Sequence, residues 1–289
     1  MALPADLIAI GEVGLAGEIR KVTGGQQRIV EAARLGFKRA LIPAGSEIKV
    51  PGIEIVEGGK TFFWSGRYHN DMNTRDTLAT ELNTLADFNP VVPQDYKNSE
   101  VVLLGNLHPL VQSGVLDQMT STPKLIVLDT MNFWMDNALE DLYEVIKRVD
   151  VITINDEEAR QLTGEYSLVV AARKIHELGP KYVVIKKGEH GALLFNNGDV
   201  FFAPALPLEE VFDPTGAGDT FAGGFVGYIA KSNDFSFENI KNAVIYGSTL
   251  ASFCVEKFGT QRMENLNHQE VYLRLQEFKN LTQFEIELS

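Results

Sequence analysis

The sequence predicts an α/β fold built on a mainly parallel sheet, and three observations carry that reading. Apolar strand patterns, as in KLIVLDTMNFW, VITINDEEARQLTG and YVVIKKGEHGALLF, alternate with segments of helical pattern, as crossover units do. One of them, KLIVLDTMNFW (Lys124 to Trp134), is a strand pattern that ends in polar residues, which is how a parallel sheet presents its ligand-binding edge. The chain has 289 residues and 45% hydrophobic content, enough for one large α/β domain with a small lid.

Taken in order, LIAIGEV, a helix from Gln26 to Leu35 and RALIPAG make a βαβ-sized unit that can extend a parallel sheet. EGGKT (Glu57 to Thr61) is no phosphate-binding P-loop, since the glycine that motif requires would fall at Glu54. In TFFWSGRYHNDMNTRDTLATELN (Thr61 to Asn83), alternation through Phe62, Trp64 and Arg67 suits a strand exposed on one face. This segment is either a lid over a substrate or a small flap over apolar surface. VITINDEEARQLTG (Val151 to Gly164) is a strand running into a helix, and one helical turn puts Asn155 and Glu158 on one face. Asn155 also suits a helix cap before an acidic first turn. YVVIKKGEHGALLF (Tyr182 to Phe195) is strand, glycine turn, strand, where Lys186 is open to being a solvated strand end. NAVIYGSTLASFCVEKFGTQR is an apolar helix with small residues spaced through it, ending at Gly259.

The most specific stretch is DPTGAGDTFAGGF, residues 213 to 225. Gly216 and Gly218 allow consecutive amides to point into one concavity, and that concavity lies where a helix begins. The unpartnered first amides and the positive end of the helix dipole favour an anion there. Asp219 would stand beside the anion, where a carboxylate serves better to orient or deprotonate an attacking hydroxyl than to bind phosphate. Read alone, the same residues also suit an Asp cap after a glycine turn.

This stretch resembles the C-terminal signature of the ribokinase-like (PfkB) carbohydrate and nucleoside kinases, although Pro214 stands where Thr or Ser is more common. The resemblance implies a ribokinase-like three-layer sandwich with a small β lid. It implies Asp219 as base and Gly216, Ala217 and Gly218 as the anion hole. The N-x-x-E element, Asn155 and Glu158, would serve a magnesium and phosphate network through water. Lys186, Gly188 and Gly191 would lie near the ATP phosphates, with Asp213, Thr215, Ala251, Cys254, Phe258 and Gly259 as further nucleotide neighbours. Asp129 and Asn132 of the D-x-x-N pattern, together with Asn106, would face the active-site edge. The W-S-G-R-Y segment resembles that of one bacterial branch and makes Trp64, Arg67, Tyr68 and Asn70 candidate substrate or lid residues, with a lid from about 60 to 75. ATP and Mg2+ are the implied cofactors, with a monovalent cation such as K+ as a further candidate. The implied partner is a small-molecule sugar or nucleoside, and the pairing of lid strands in relatives raises a homodimer.

The amino terminus departs from that pattern. Gly24 and Gly25 are present, but no Asn follows at the kinase spacing and no Asp follows the first strand. Residues 1 to 58 instead resemble the C-terminal, Lon-protease-like domain of the DNA repair protein RadA. Proteolytic members of that wider fold carry a Lys after the paired glycines, where this chain has Gln26, Gln27 and Arg28, so peptidase chemistry is not implied. The expected organisation is therefore chimaera-like: a RadA-like βαβ segment over 1–58, replacing the first unit of a kinase that occupies 59–289. Three functions follow: an active sugar or nucleoside kinase, a nucleotide-binding remnant without a sugar site, or an interaction module acting through residues 1 to 58.

Charge and composition bear on those choices. A net charge of −13 argues against nucleic-acid binding through a general basic surface. The single cysteine, Cys254, excludes an intramolecular disulfide and a Cys-based zinc cluster. No signal-peptide pattern or long apolar run appears, so no membrane is expected and the cytoplasm is the expected compartment.

Overall fold

The structure is a computed structural model that describes residues 7–9, 12–13, 19–20, 39–41, 54 and 56–283. The chain divides into two compact units, Met1–Glu57 and Gly58–Ser289. In the first, β1 (Leu7–Ala9) pairs in parallel with β4 (Arg39–Leu41), Ile8 opposite Ala40. A parallel pair requires a crossover rather than a hairpin. Between them β2 (Glu12–Val13) pairs antiparallel with β3 (Ile19–Arg20). The helix expected from Gln26 to Leu35 lies outside the described residues.

The second unit begins with an antiparallel ribbon, β5 (Phe63–Tyr68) and β6 (Arg75–Glu81), with a bulge opposite Ser65 and Gly66. The ribbon's return strand runs to Glu81, which pairs with Phe63. Its turn is tied by Asp71, whose carboxylate accepts from the amides of Asn73 (3.1 Å) and Thr74 (3.0 Å), a local bond typical of Asp in turns.

The main sheet has six strands in the order β12-β11-β10-β9-β8-β7. Strands β7 (Val101–Leu104), β8 (Leu125–Asp129), β9 (Val151–Asn155) and β10 (Tyr182–Lys186) are parallel. The last two, β11 (Ala192–Asn196) and β12 (Asp199–Ala203), add as an antiparallel meander. Between the parallel strands run helices α1 (Pro109–Asp117), α2 (Asn132–Asn137), α3 (Leu139–Ile146), α4 (Asp156–Thr163) and α5 (Leu168–Leu178). After the sheet come α6 (Ala217–Ser232), α7 (Phe237–Cys254) and α8 (His268–Thr282).

Strand periodicity divides the core into two layers. Leu128, Ile152, Ile154, Val183 and Ile185 pack with buried residues of α3, α4 and α5, among them Leu142, Ala159 and Ile175. Val127, Val151, Val184 and Leu194 face the other way, onto Phe221, Phe225 and Ile229 of α6 and Ile240 and Val244 of α7. The result is the expected three-layer α/β sandwich. The same parity fixes what stands at the carboxyl ends of the strands. Asp129, Asn155 and Lys186 all follow the Val127, Val151 and Val184 face, so they project on the side where α6 begins.

Local signals set the element ends. The α4 start is a reciprocal capping box: the Glu158 amide donates to Asn155 Oδ1 at 2.7 Å, and the Asn155 amide donates to Glu158 Oε2 at 2.8 Å. Gly164 closes that helix with φ 70°. By contrast, α7 ends at Cys254 and not at Gly259, which occupies a later turn. The sequence reading overextended this helix because Val255 to Phe258 continue its apolar pattern.

Candidate active site

The carboxyl ends of β8, β9 and β10, the start of α6 and the β5–β6 ribbon together line a cleft of about 810 Å³. Asp219 stands in the first turn of α6, whose N-cap Gly216 has φ 82°, a left-handed conformation that favours glycine. At Gly218 a Cβ would come within 3.3 Å of Lys186 Nζ. The glycine thus gives the ammonium room beneath the helix start.

Lys186 Nζ donates to Asp129 Oδ1 at 2.9 Å, and Thr153 Oγ1 donates to the same oxygen at 2.7 Å. The two ionic side chains are 18% and 10% exposed. Burial presses the Lys186 ammonium towards neutrality, but Asp129, Glu158 and Asp219 outweigh it and hold its pKa above the usual lysine value. Lys186 is therefore a charged group of the cleft and not a solvated strand end. Asp219 is shifted up from the ordinary carboxylate range, first by burial and then by the charge of Asp129, with Lys186 and its own backbone amide opposing. Glu158 is pushed to about 6, chiefly by burial, against the opposing influence of Lys186. A cluster of carboxylates with raised proton affinities around one lysine is a physical mark of a site that handles protons and anions.

Of the sequence candidates, the cleft brings together Trp64, Tyr68, Asn106, Asp129, Asn132, Asn155, Glu158, Lys186, Gly188, Gly191, Thr215, Gly216, Ala217, Gly218, Asp219 and Ala251. Asn106 is committed elsewhere in its wall: its Oδ1 accepts from Trp134 Nε1 at 2.8 Å and its Nδ2 contacts Met131 Sδ at 3.0 Å. Six candidates stand outside the lining. Arg67 lies on the opposite face of β5 from Trp64 and Tyr68, since it stands three positions along the strand from Trp64, an odd step that reverses the face. Asn70 is exposed in the ribbon turn. Asp213 holds its own loop, accepting from the Thr215 amide at 3.0 Å. Cys254 is buried behind that loop, its Sγ 3.8 Å from the Thr215 carbonyl oxygen. Phe258, 65% exposed, and Gly259 follow the end of α7.

Sequence reasoning missed Arg75, Thr77 and Thr130, all of which line the cleft. The first two were within reach, because β6 pairs Arg75 with Tyr68 and Thr77 with Gly66 on the face Trp64 shares. Thr130 follows Asp129 directly, and its buried hydroxyl has no hydrogen-bond partner.

The model of the pfkB family carbohydrate kinases matches residues 53–266. A cytidine kinase from Thermococcus kodakarensis is 31% identical over 248 residues, covering 76% of this chain and 87% of that protein. A solved structure of a putative ribokinase II from E. coli, in complex with ATP and Mg2+, superposes with a TM-score of 0.61 at 16% identity, over 94% of this chain and 82% of that one, so the fold is ribokinase-like. The DNA repair protein RadA from Haemophilus influenzae is 64% identical over 47 residues, which are 16% of this chain and 10% of RadA.

Proposed function

Because this chain belongs to the pfkB family of carbohydrate kinases, we propose that it transfers the terminal phosphoryl group of ATP to a hydroxyl of a sugar or nucleoside. One observation carries the reading: Asp219 stands at the amino-terminal turn of α6, in a cleft that also holds the buried Lys186–Asp129 pair. The likeness to a cytidine kinase over three quarters of the chain supports a nucleoside as the first acceptor to try.

In this reading Asp219 accepts the proton of the attacking hydroxyl as the new oxygen–phosphorus bond forms and the bond to ADP breaks. Burial suits the carboxylate to that role by raising its proton affinity. The backbone amides from Gly216 to Gly218 and the dipole of α6 hold the negative charge of the phosphoryl group. Lys186, fixed by Asp129 and Thr153, supplies a positive charge below the helix start. It acts mainly through its position, as phosphoryl transfer is mostly a matter of placement and electrostatic stabilisation.

The residues fit a magnesium ion that is shared with ATP. Among the described residues no cluster of three or more His, Cys, Asp or Glu forms a metal cage, and magnesium commonly keeps its waters and binds through few carboxylates plus phosphates. Asn155 Oδ1 and Glu158 Oε2 are engaged in the helix cap, so these side chains would reach the ion through water. When bound, the ion neutralises phosphate charge.

The test is ADP release by the full chain with ATP and magnesium across sugars and nucleosides. Acceptor-dependent release supports the kinase. A second reading is favoured by the RadA-like segment, which stands in place of the expected kinase amino terminus. It is a nucleotide-binding remnant, and it predicts thermal stabilisation by ATP without turnover.

A further inference from the structure

The residues that lead into the glycine turn are moulded on the end of α7. The carbonyl oxygen of Val255, the first residue after that helix, accepts from the amides of Phe212 (2.8 Å) and Asp213 (3.2 Å). Asp213 in turn accepts from the Thr215 amide, and Cys254 Sγ lies 3.8 Å from the Thr215 carbonyl oxygen. Where α7 ends therefore decides where the amides of Gly216 to Gly218 stand.

Between α7 and α8, residues 255–267 form turns without helix or strand, so side chains must hold what backbone ladders do not. Glu256 ties this segment at both ends. Its Oε2 accepts from Arg262 Nε at 2.8 Å, and its Oε1 meets Arg274 Nη1 of α8 at 2.6 Å. Arg262 reaches on to Glu270 at 2.6 Å, the residue that completes the capping box of α8. Both guanidinium groups also lie over the ring of buried Phe253 in α7, Arg274 at 3.5 Å and Arg262 at 4.7 Å from its centroid, an attraction that gains strength away from water. Two arginines and two glutamates balance in charge and are all partly buried. Such a network holds geometry better than an isolated surface pair. Glu256 is its hub, and it adjoins Val255 in the chain.

Resting on the kinase reading, we infer that Glu256 is a positioning residue for phosphoryl transfer. Held by Arg262 and Arg274, it fixes the Val255 carbonyl, and through that carbonyl the glycine amides that face the transferring group. Glu256 does not itself line the cleft, and it exchanges no proton. A misplacement of about 1 Å can cost on the order of a hundredfold in rate, so a loosened turn shows in transfer before it shows in ground-state binding.

The experiment compares the full-length wild type with Glu256→Gln and Glu256→Ala. The glutamine keeps the volume and turns one acceptor into a donor that faces an arginine. Glu238→Gln serves as the control, because it breaks an exposed pair with Lys241 in the first turn of the same helix. Turnover is measured with the best acceptor, and binding is measured for ADP with magnesium, with and without aluminium fluoride as a mimic of the phosphoryl group in flight. Both Glu256 variants should bind ADP as the wild type does, lose most of the extra affinity given by aluminium fluoride, and fall about tenfold or more in kcat. Glu238→Gln should match the wild type. Retained ADP binding shows that the variants are folded. Glu256 variants that melt earlier yet keep the wild-type kcat and aluminium fluoride effect would reduce the residue to a structural role and overturn the inference, leaving the kinase reading intact. Equal losses in ADP affinity and in kcat would overturn it as well. A wild type that turns over no acceptor and gains nothing from aluminium fluoride would overturn both.

Discussion

Lys186 Nζ lies 2.9 Å from Asp129 Oδ1, joining the ends of two strands 57 residues apart. Both groups are largely buried. Removing one partner of such a pair leaves a buried charge uncompensated, at a cost of about 3–5 kcal/mol, whereas replacing both with apolar groups is often nearly neutral. Asp129→Asn is therefore expected to lower stability by about 3 kcal/mol in denaturant unfolding. The double variant Asp129→Leu, Lys186→Met should recover most of that stability and none of the turnover. Equal stability of wild type and Asp129→Asn would mean that the ammonium finds other partners.

Glu158 gives a pH prediction with a definite sign. Its proton affinity in the fold, raised from 4.5 to about 6, means that ionisation costs stability as pH rises between those values. A neutral isostere removes that cost. Glu158→Gln, which can still complete the capping box, should be more stable than wild type at pH 8 by up to about 2 kcal/mol. Near pH 4 the difference should vanish. Turnover should move the other way: Glu158→Gln is slow across the range, and an acid limb remains in both proteins because Asp219, whose proton affinity burial also raises, must be ionised to act as base. Thermal unfolding and a pH–rate profile check the two halves separately.

Gly218 separates a folding effect from a functional one. It lies within the first turn of α6 at ordinary helical geometry, where Ala is a better helix former than Gly by up to about 1 kcal/mol. The added methyl, however, would sit 3.3 Å from Lys186 Nζ, inside the proposed anion hole. Gly218→Ala should retain or raise its melting temperature while kcat/KM for ATP falls at least about tenfold, a loss of roughly 1.4 kcal/mol in the transition state. A variant unchanged in kcat/KM would place the phosphate away from this turn.

Much of this was legible in the sequence, for reasons that differ by element. VITINDEEARQLTG carried its own punctuation, a cap at Asn155 and a stop at Gly164, and both ends of α4 fall there. The glycine turn before α6 was equally plain, because few residues other than glycine take φ near 80°. The ion pair of Lys186 was not legible, since nothing local says that the end of β10 meets the end of β8. Strand parity would have shown that both face α6, given the strand order. Arg75 was not legible because the alternation through Phe62 and Trp64 marks one strand and its face, whereas the register of the returning strand has no local signal. The bulge after Thr77 changes which β6 residues share a face with Trp64, and it has no signature in composition. The alternation through Phe62, Trp64 and Arg67 crosses an odd interval, so Arg67 falls on the other face of β5.

In the proposed reaction Asp219 is the base of a phosphoryl transfer in this cleft. The most direct test of that role is the rate of acceptor-dependent ADP formation at saturating ATP and magnesium, wild type against Asp219→Asn, with ATP affinity measured on both proteins. The expected result is a fall of at least about a hundredfold in kcat with ATP affinity preserved. A variant that binds ATP and turns over at the wild-type rate would contradict it.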